Sequence, residues 1–284
     1  MQAEKLTINS QCTFHWNLEE ALDAYAAAGF RNVEPHLNLV KDWLEDGHTV
    51  EETRELFASR DLAVVASSQL EVACFGSPDA RISNLKANAE NVRLIRELGA
   101  DKMIVGTDGP EQNSVEALDA VAHAVRNLAE LTEDLGVDVA VEFNWSPLVK
   151  SLQSAVRVAE IADHPRVGVL FDTAHYHVTP TKLSDINGDS VRFIKHVHLN
   201  DMPGTPADLT HRDDDRVLPG EGVLDLPGIV ERLEENGYDG FFSIEMFSAD
   251  LWQLPAKEAA RRCYESLLPL CEGGRLTGQP WGRQ

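Results

Sequence analysis

Apolar and polar positions along this chain follow two alternating periods. Short runs rich in β-branched and aromatic residues are separated by longer stretches in which apolar residues recur every three to four positions. The short runs cover residues 5–14, 32–38, 63–72, 102–107, 137–145, 167–175, 194–200 and 240–247, and each predicts a strand. Between them, NLEEALDAYAAAGF reads as an amphipathic helix with Asn17 as its N-cap and Gly29 closing its C-terminus. TVEETRELFASR offers a capping box, Thr49 with Glu52 three residues on. ISNLKANAENVRLIRELGA, SVEALDAVAHAVRNLAELTEDLG, SLQSAVRVAEIADH, DLPGIVERLEENGY and AKEAARRCYESLLPL complete the helical set.

Eight strand-plus-helix units, spaced by roughly 25 to 45 residues, predict a closed α/β architecture, a (β/α)8 TIM barrel. It is expected to form one domain over residues 1–284. A doubly wound open sheet would place a Gly-rich turn after the first strand, where QCTFHW stands instead. The irregular stretch 202–225, rich in Pro, Gly and Asp, lies between the seventh and eighth strands and is expected to fold over the catalytic face. From about residue 273 to 284 the composition predicts a loose C-terminal tail.

Composition narrows the classes of function. Of 284 residues, 43% are apolar, ample for a sizeable core. No apolar run approaches the roughly 20 residues of a membrane span. The beginning lacks the basic-then-apolar layout of a signal peptide, so the expectation is a soluble, cytoplasmic protein with no membrane partner. Cys12, Cys74, Cys263 and Cys271 form no CxxC pair and read as small buried hydrophobes in a reducing compartment. With 25 basic against 47 acidic residues the formal charge is −22, which repels a phosphate backbone and argues against nucleic acid as a partner. The same field suits cations, although most of it is expected to be solvated helix face.

In a barrel, residues at the C-terminal ends of the strands face the catalytic mouth. The fifth predicted strand ends with Glu142; the sixth gives Asp172, with His175 and His177 just beyond; the seventh gives His196, His198 and Asp201; the eighth gives Glu245. Each carboxylate interrupts an apolar run, where an unpaired charge is costly. Three carboxylates and one imidazole at one level of four consecutive strands point to a single divalent cation held by Glu142, Asp172, His198 and Glu245. The bland alternative is a set of private ion pairs. An oxygen-rich donor set favours Mn²⁺ or Mg²⁺, with Co²⁺, Fe²⁺ and Zn²⁺ as competitors.

AVEFNW, LFDTAHYH, HVHLND, DRVLPGEG and SIEMF carry Glu142, Asp172, His198, Arg216 and Glu245. These segments resemble the hallmarks of the xylose isomerase-like barrel superfamily of sugar isomerases and epimerases. The similarity runs nearly end to end and is sharpest over residues 140–250. DDRVLPGEGVLD together with SIEMF most resembles the inosose isomerase (2-keto-myo-inositol isomerase) branch, which implies a place in inositol catabolism. The resemblance implies that Glu142, Asp172, His198 and Glu245 bind the metal. It further implies that Glu142 and Glu245 face each other as acid and base across a keto-sugar or keto-polyol, with His175 and Arg216 on substrate oxygens. Proton transfer through a metal-held enediolate then gives isomerisation or epimerisation; loss of a β-hydroxyl instead gives a lyase or dehydratase acting on a keto-sugar, an inosose or a 3-dehydroshikimate-type substrate.

Other residues carry weaker signals. Phe14, His15 and Trp16 end the first strand as an aromatic wall or as rim packing. Glu34 and His36 end the second, where they are candidates for substrate hydroxyls, as are Gln69 and Glu71 on the third. His177 reads as a substrate contact or a support. His196 shares the face of His198 but lies deeper. His123 and His164 read as surface helix residues, and Trp145 as a pocket wall. Apurinic-site endonucleases resemble the same superfamily and share HLND, but here the third and fourth strands supply no histidine and Val217 follows Arg216 where a DRH triplet needs one. A non-catalytic sugar sensor is the remaining rival. Nothing in the sequence marks an oligomer interface, and a homodimer stays open.

Overall fold

The computed structural model describes residues 1–145, 147–206, 209 and 212–271, and of residue 69 the backbone alone. The expected loose tail, about 273–284, therefore lies outside the described residues, as do parts of the expected loop 202–225. Among the described residues nine strands form one parallel sheet: β1 Leu6–Asn9, β2 Asn32–Glu34, β3 Ala63–Val64, β4 Ser67–Val72, β5 Lys102–Thr107, β6 Asp138–Glu142, β7 Val167–Asp172, β8 Ile194–Leu199 and β9 Phe242–Ile244. Their order around the sheet is β3-β2-β1-β9-β8-β7-β6-β5-β4. β3 and β4 are one barrel strand broken at Val65–Ala66. Its first half pairs with β2 and its second with β5. A parallel bridge from His36 to Ser68 joins the remaining edges. The fold is a (β/α)8 barrel.

Local sequence sets the helices where expected. α1 (Leu18–Ala28) starts with Asn17 accepting from the Glu20 N–H and stops at Gly29, whose φ of 113° lies in the left-handed region glycine tolerates. α3 (Val50–Ala58) has the Thr49–Glu52 capping box. α4 (Pro78–Glu97), α5 (Ala117–Leu131), α6 (Leu152–Ala162), α9 (Leu226–Glu235) and α11 (Ala256–Leu267) follow the 3.6-residue pattern.

Strand parity divides the core in two. Outward residues such as Val139, Val141, Val169, Phe171, Val197 and Ile244 pack under the helices in one large cluster. Inward residues Ala66, Ile104, Ala140 and Leu170 form a small apolar plug inside the barrel. Two residues further along each strand the inward positions become Ser68, Gly106, Glu142 and Asp172, so the period of two lifts the apolar plug directly into a polar layer at the mouth.

The expected strands overrun their observed ends on the mouth side. Residues 10–13 form a 3₁₀ turn, α2 (Leu37–Glu45) begins directly after His36, and α7 (Thr173–Val178) directly after Asp172. Ser10–Thr13, Thr173, Ala174 and His175 are buried, and a buried turn carries the same apolar signature as a strand. At α7 the decisive contact is the Asp172 carboxylate, whose Oδ1 accepts from the N–H groups of Ala174 at 2.7 Å and His175 at 3.0 Å. α8 (Gly188–Val191) and α10 (Ala249–Trp252) are single turns. Among the described residues no helix is long and apolar enough to cross a membrane.

Candidate active site

Four strands bring their ends together at the mouth. One ligand atom from each of Glu142, Asp172, His198 and Glu245 lies within 4.8 Å of the others. Asp172 and His198 are adjacent partners in the β7–β8 register, and Glu245 follows β9 by one residue. His198 Nδ1 stands 3.2 Å from Glu245 Oε2 and 3.7 Å from Asp172 Oδ2, yet it has no hydrogen-bond partner. An orphaned imidazole nitrogen aimed into buried carboxylate oxygens fits a divalent cation, and these four residues could hold one.

The charges are balanced locally. Arg216, 3% exposed, places Nη1 2.6 Å from Glu245 Oε2 and Nη2 3.4 Å from Asp172 Oδ2 and 3.6 Å from Asp213 Oδ1. Its guanidinium carbon lies 5.0 Å above the Phe247 ring. Burial raises the Asp172 carboxyl, but Arg216, His175 and His198 outweigh it and hold the group down at about 2. Burial likewise raises Glu245, and His198 and Arg216 pull it below the usual range. Asn9 donates to Glu245 Oε1 at 3.3 Å, and Asn200 to Asp172 Oδ2 at 3.1 Å. His175 Nε2 lies 3.3 Å from Glu142 Oε1 and 3.4 Å from Arg216 Nη2.

A cavity of about 800 Å³ opens above this cluster, within the range of small-molecule sites. His36, Glu71, Glu142, Trp145, His175, His198, Arg216 and Glu245 line it. Trp145 meets His175 edge to face, with ring centroids 4.8 Å apart. His177, on the same short helix as His175, is half-buried and not among the lining residues. Phe14 and His15 pack on Trp252 at the rim, and they and Trp16 are not among the lining residues. His123 is exposed on α5, and His164 accepts the Arg166 N–H in the turn after α6. Gln69 has no described side chain.

Glu34 departs from its expected place as a candidate for substrate hydroxyls. It is fully buried beneath the mouth, with both carboxylate oxygens 3.0 Å from His198 Nε2 and Oε2 3.0 Å from His196 Nε2. Burial raises its carboxyl, and the two imidazoles outweigh that and push it well below the usual range. The reason is register: Glu34 is the last residue of a three-residue strand, one layer below His36. His196 takes the deeper position that alternation predicts.

Several residues of the site give little signal in sequence. Asn9 and Asn200 each follow or close an apolar strand, a pattern that would flag them once strand ends are known. Asp201 carries no chemistry at the cluster. It is fully buried, and its carboxylate accepts from the backbone N–H of Met202 at 2.8 Å, Gly220 at 3.0 Å, Gly222 at 3.1 Å and Leu224 at 3.0 Å. A side chain at Gly222 would collide with this carboxylate. Asp201 also pairs with Val217 through two backbone bonds of 2.9 Å, fixing the described part of the loop so that Arg216 enters the site.

Comparison with known proteins agrees with this fold. The chain is 26% identical over 266 residues to an inosose isomerase of Halalkalibacterium halodurans, covering 90% of this chain and 93% of the relative. It is 28% identical over 270 residues to a 3-dehydroshikimate dehydratase of Pseudomonas putida, covering 91% of this chain but 40% of that longer protein. Among solved structures it is similar to the IOLI protein with a bound zinc atom, with a TM-score of 0.85, 22% identity and coverage of 95% of this chain and 98% of that one. Residues 22–267 match the family model of the xylose isomerase-like TIM barrel, and the chain belongs to that family.

Proposed function

We propose that this enzyme is a metal-dependent isomerase or epimerase of a keto-polyol or keto-sugar, of the inosose isomerase kind. The observation that carries the reading is the pairing of Glu142 and Glu245 in one compact cluster under a cavity of about 800 Å³. The similarity to an inosose isomerase across nine-tenths of both chains supports it.

A divalent cation held by Glu142, Asp172, His198 and Glu245, Mn²⁺ first among the candidates, would polarise a substrate carbonyl and acidify the neighbouring C–H. Glu142, the more open of the two glutamates, is placed to accept that proton. His175 Nε2 stands 3.3 Å from its carboxylate. Glu245, kept ionised by His198 and Arg216 against burial, serves the opposite wall and handles the proton at the adjacent carbon or face. Arg216 and His175 orient substrate oxygens, and His36 bounds the pocket beside them, with His177 as a support behind. On this reading the protein works in the cytoplasm in inositol breakdown.

A dehydratase is the second reading, favoured by the 28% identity to a 3-dehydroshikimate dehydratase. The same proton abstraction leads there if a β-hydroxyl departs. Incubation of the metal-loaded enzyme with 2-keto-myo-inositol in D2O separates the two. Isomerase action gives deuterium in the substrate and in an isomeric ketone, with no ultraviolet chromophore. Appearance of a conjugated enone would defeat it in favour of the dehydratase.

A further inference from the structure

The residues around the cavity set which substrates can enter by charge as well as by shape. Its carboxylates are Glu71, Asp108, Glu142, Asp213 and Glu245, whereas the described lining holds one guanidinium, Arg216, and no lysine. Arg216 is already committed to Glu245 at 2.6 Å, Asp172 at 3.4 Å and Asp213 at 3.6 Å. His175 is held at 3.3 Å from Glu142, and His198 is wedged between Glu34 and Glu245. His36 adds no positive charge near neutral pH: burial lowers its imidazole to about 4 against the pull of Glu245 and Glu34.

The other common receptor for an anion is the open N-terminus of a helix. Of the helices that begin at this mouth, α7 has its first N–H groups taken by Asp172 Oδ1, at 2.7 and 3.0 Å, whereas α2, which begins after His36, carries no side-chain cap. Asp108 is turned onto the backbone N–H of Cys74 at 2.7 Å, so its charge stays in the wall. A dication and Arg216 together cancel the three ligand carboxylates. Glu71 and Asp108 then leave the described lining negative even with His175 protonated; Asp213, whose carboxyl burial pushes up, is not needed for this.

We propose that this site takes uncharged keto-polyols and keto-sugars and discriminates against ketones that carry a carboxylate or a phosphate. The inference rests on the reading of the site as one for ketones given above. It separates the two chemistries among the relatives, since an inosose is an uncharged ring ketone and 3-dehydroshikimate carries a carboxylate. One uncompensated charge across such a cavity corresponds to about a tenfold change in affinity or more.

The test is binding to the metal-loaded protein by calorimetry, with D-fructose against D-fructose 6-phosphate and 2-keto-myo-inositol against 3-dehydroshikimate, at about 0.02 M and about 0.5 M salt. Each anion is expected to bind about tenfold or more weakly than its neutral counterpart at low salt, with the gap narrowing as salt screens the lining. Glu71→Lys, at an exposed rim position, should narrow the gap at low salt. Anions binding as tightly as the neutral ketones at low salt would overturn the proposal, and so would a gap that Glu71→Lys leaves unchanged. Neutral ketones that bind selectively but exchange no deuterium would remove the isomerase reading and leave charge selection standing. No affinity for any of the four compounds would remove both.

Discussion

His198 Nε2 lies 3.0 Å from both carboxylate oxygens of Glu34, while its Nδ1 faces Asp172 and Glu245. The buried carboxylate behind the ring fixes which nitrogen points at the cluster and makes that nitrogen more basic, as carboxylate partners of metal-binding histidines do. His196, bonded to the same carboxylate, ties the arrangement to the barrel interior.

Glu34→Gln keeps the volume but removes the charge behind His198. Metal affinity is expected to fall by about 10- to 100-fold. Calorimetric titration reads the affinity, and the visible spectrum of the Co²⁺-loaded protein reads the ligand field. Unchanged affinity and an unchanged spectrum would show that Glu34 merely fills space.

Proton release should accompany metal binding. In the metal-free protein burial lowers the His198 imidazole, but Glu245 and Glu34 outweigh it and raise it well above its ordinary value. A raised histidine contributes stability that is fully present below the unfolded value, about 6.5, and is lost as pH rises through the folded one. The cation competes with that proton in the folded protein, so affinity should rise by up to about tenfold per pH unit at every pH below the raised value and level off above it. Titrations at several pH values, in buffers of different ionisation enthalpy, check it. A pH-independent affinity would count against His198 as a ligand.

Asp201 should act on activity through the loop. Each oxygen of Asp201 accepts from two backbone N–H groups, so Asp201→Asn leaves two of the four without an acceptor and is expected to cost about 1–3 kcal/mol for each. Urea unfolding measures the loss, and faster hydrogen exchange over the described residues 212–225 should accompany it. Turnover should fall while metal content holds, because Arg216 loses its fixed position. Equal exchange in the two proteins would mean the loop is held by other contacts.

Much of this architecture is readable from hydrophobic period alone, because a parallel barrel repeats one pattern and its helices end in local signals such as Asn17, Gly29 and Thr49. The four residues of the cluster stand out because each places a charge or an imidazole late in an apolar run. Glu34 was harder: it carries the same signal but sits one layer too deep, and only the short length of β2 reveals that. Asp172 shows a further limit. Its side chain ends the strand by capping α7, a switch that the apolar pattern of FDTAHYH does not announce. Asp201 is legible as a polar residue in HLND, but its four backbone partners lie 1 to 23 residues away along an irregular loop.

The central claim is that Glu142 and Glu245 perform the proton transfer while sharing one metal with Asp172 and His198. Its most direct test is deuterium wash-in to 2-keto-myo-inositol, followed by NMR, for wild type, Glu142→Gln and Glu245→Gln at matched metal content. The amides keep an oxygen but lose basicity, so isomer formation should drop by about 10²- to 10⁴-fold in each variant, far more than metal content falls. One-sided exchange surviving in one variant is the pattern expected of a two-wall shuttle. Isomer formation at near wild-type rate in either metal-loaded variant would contradict the account.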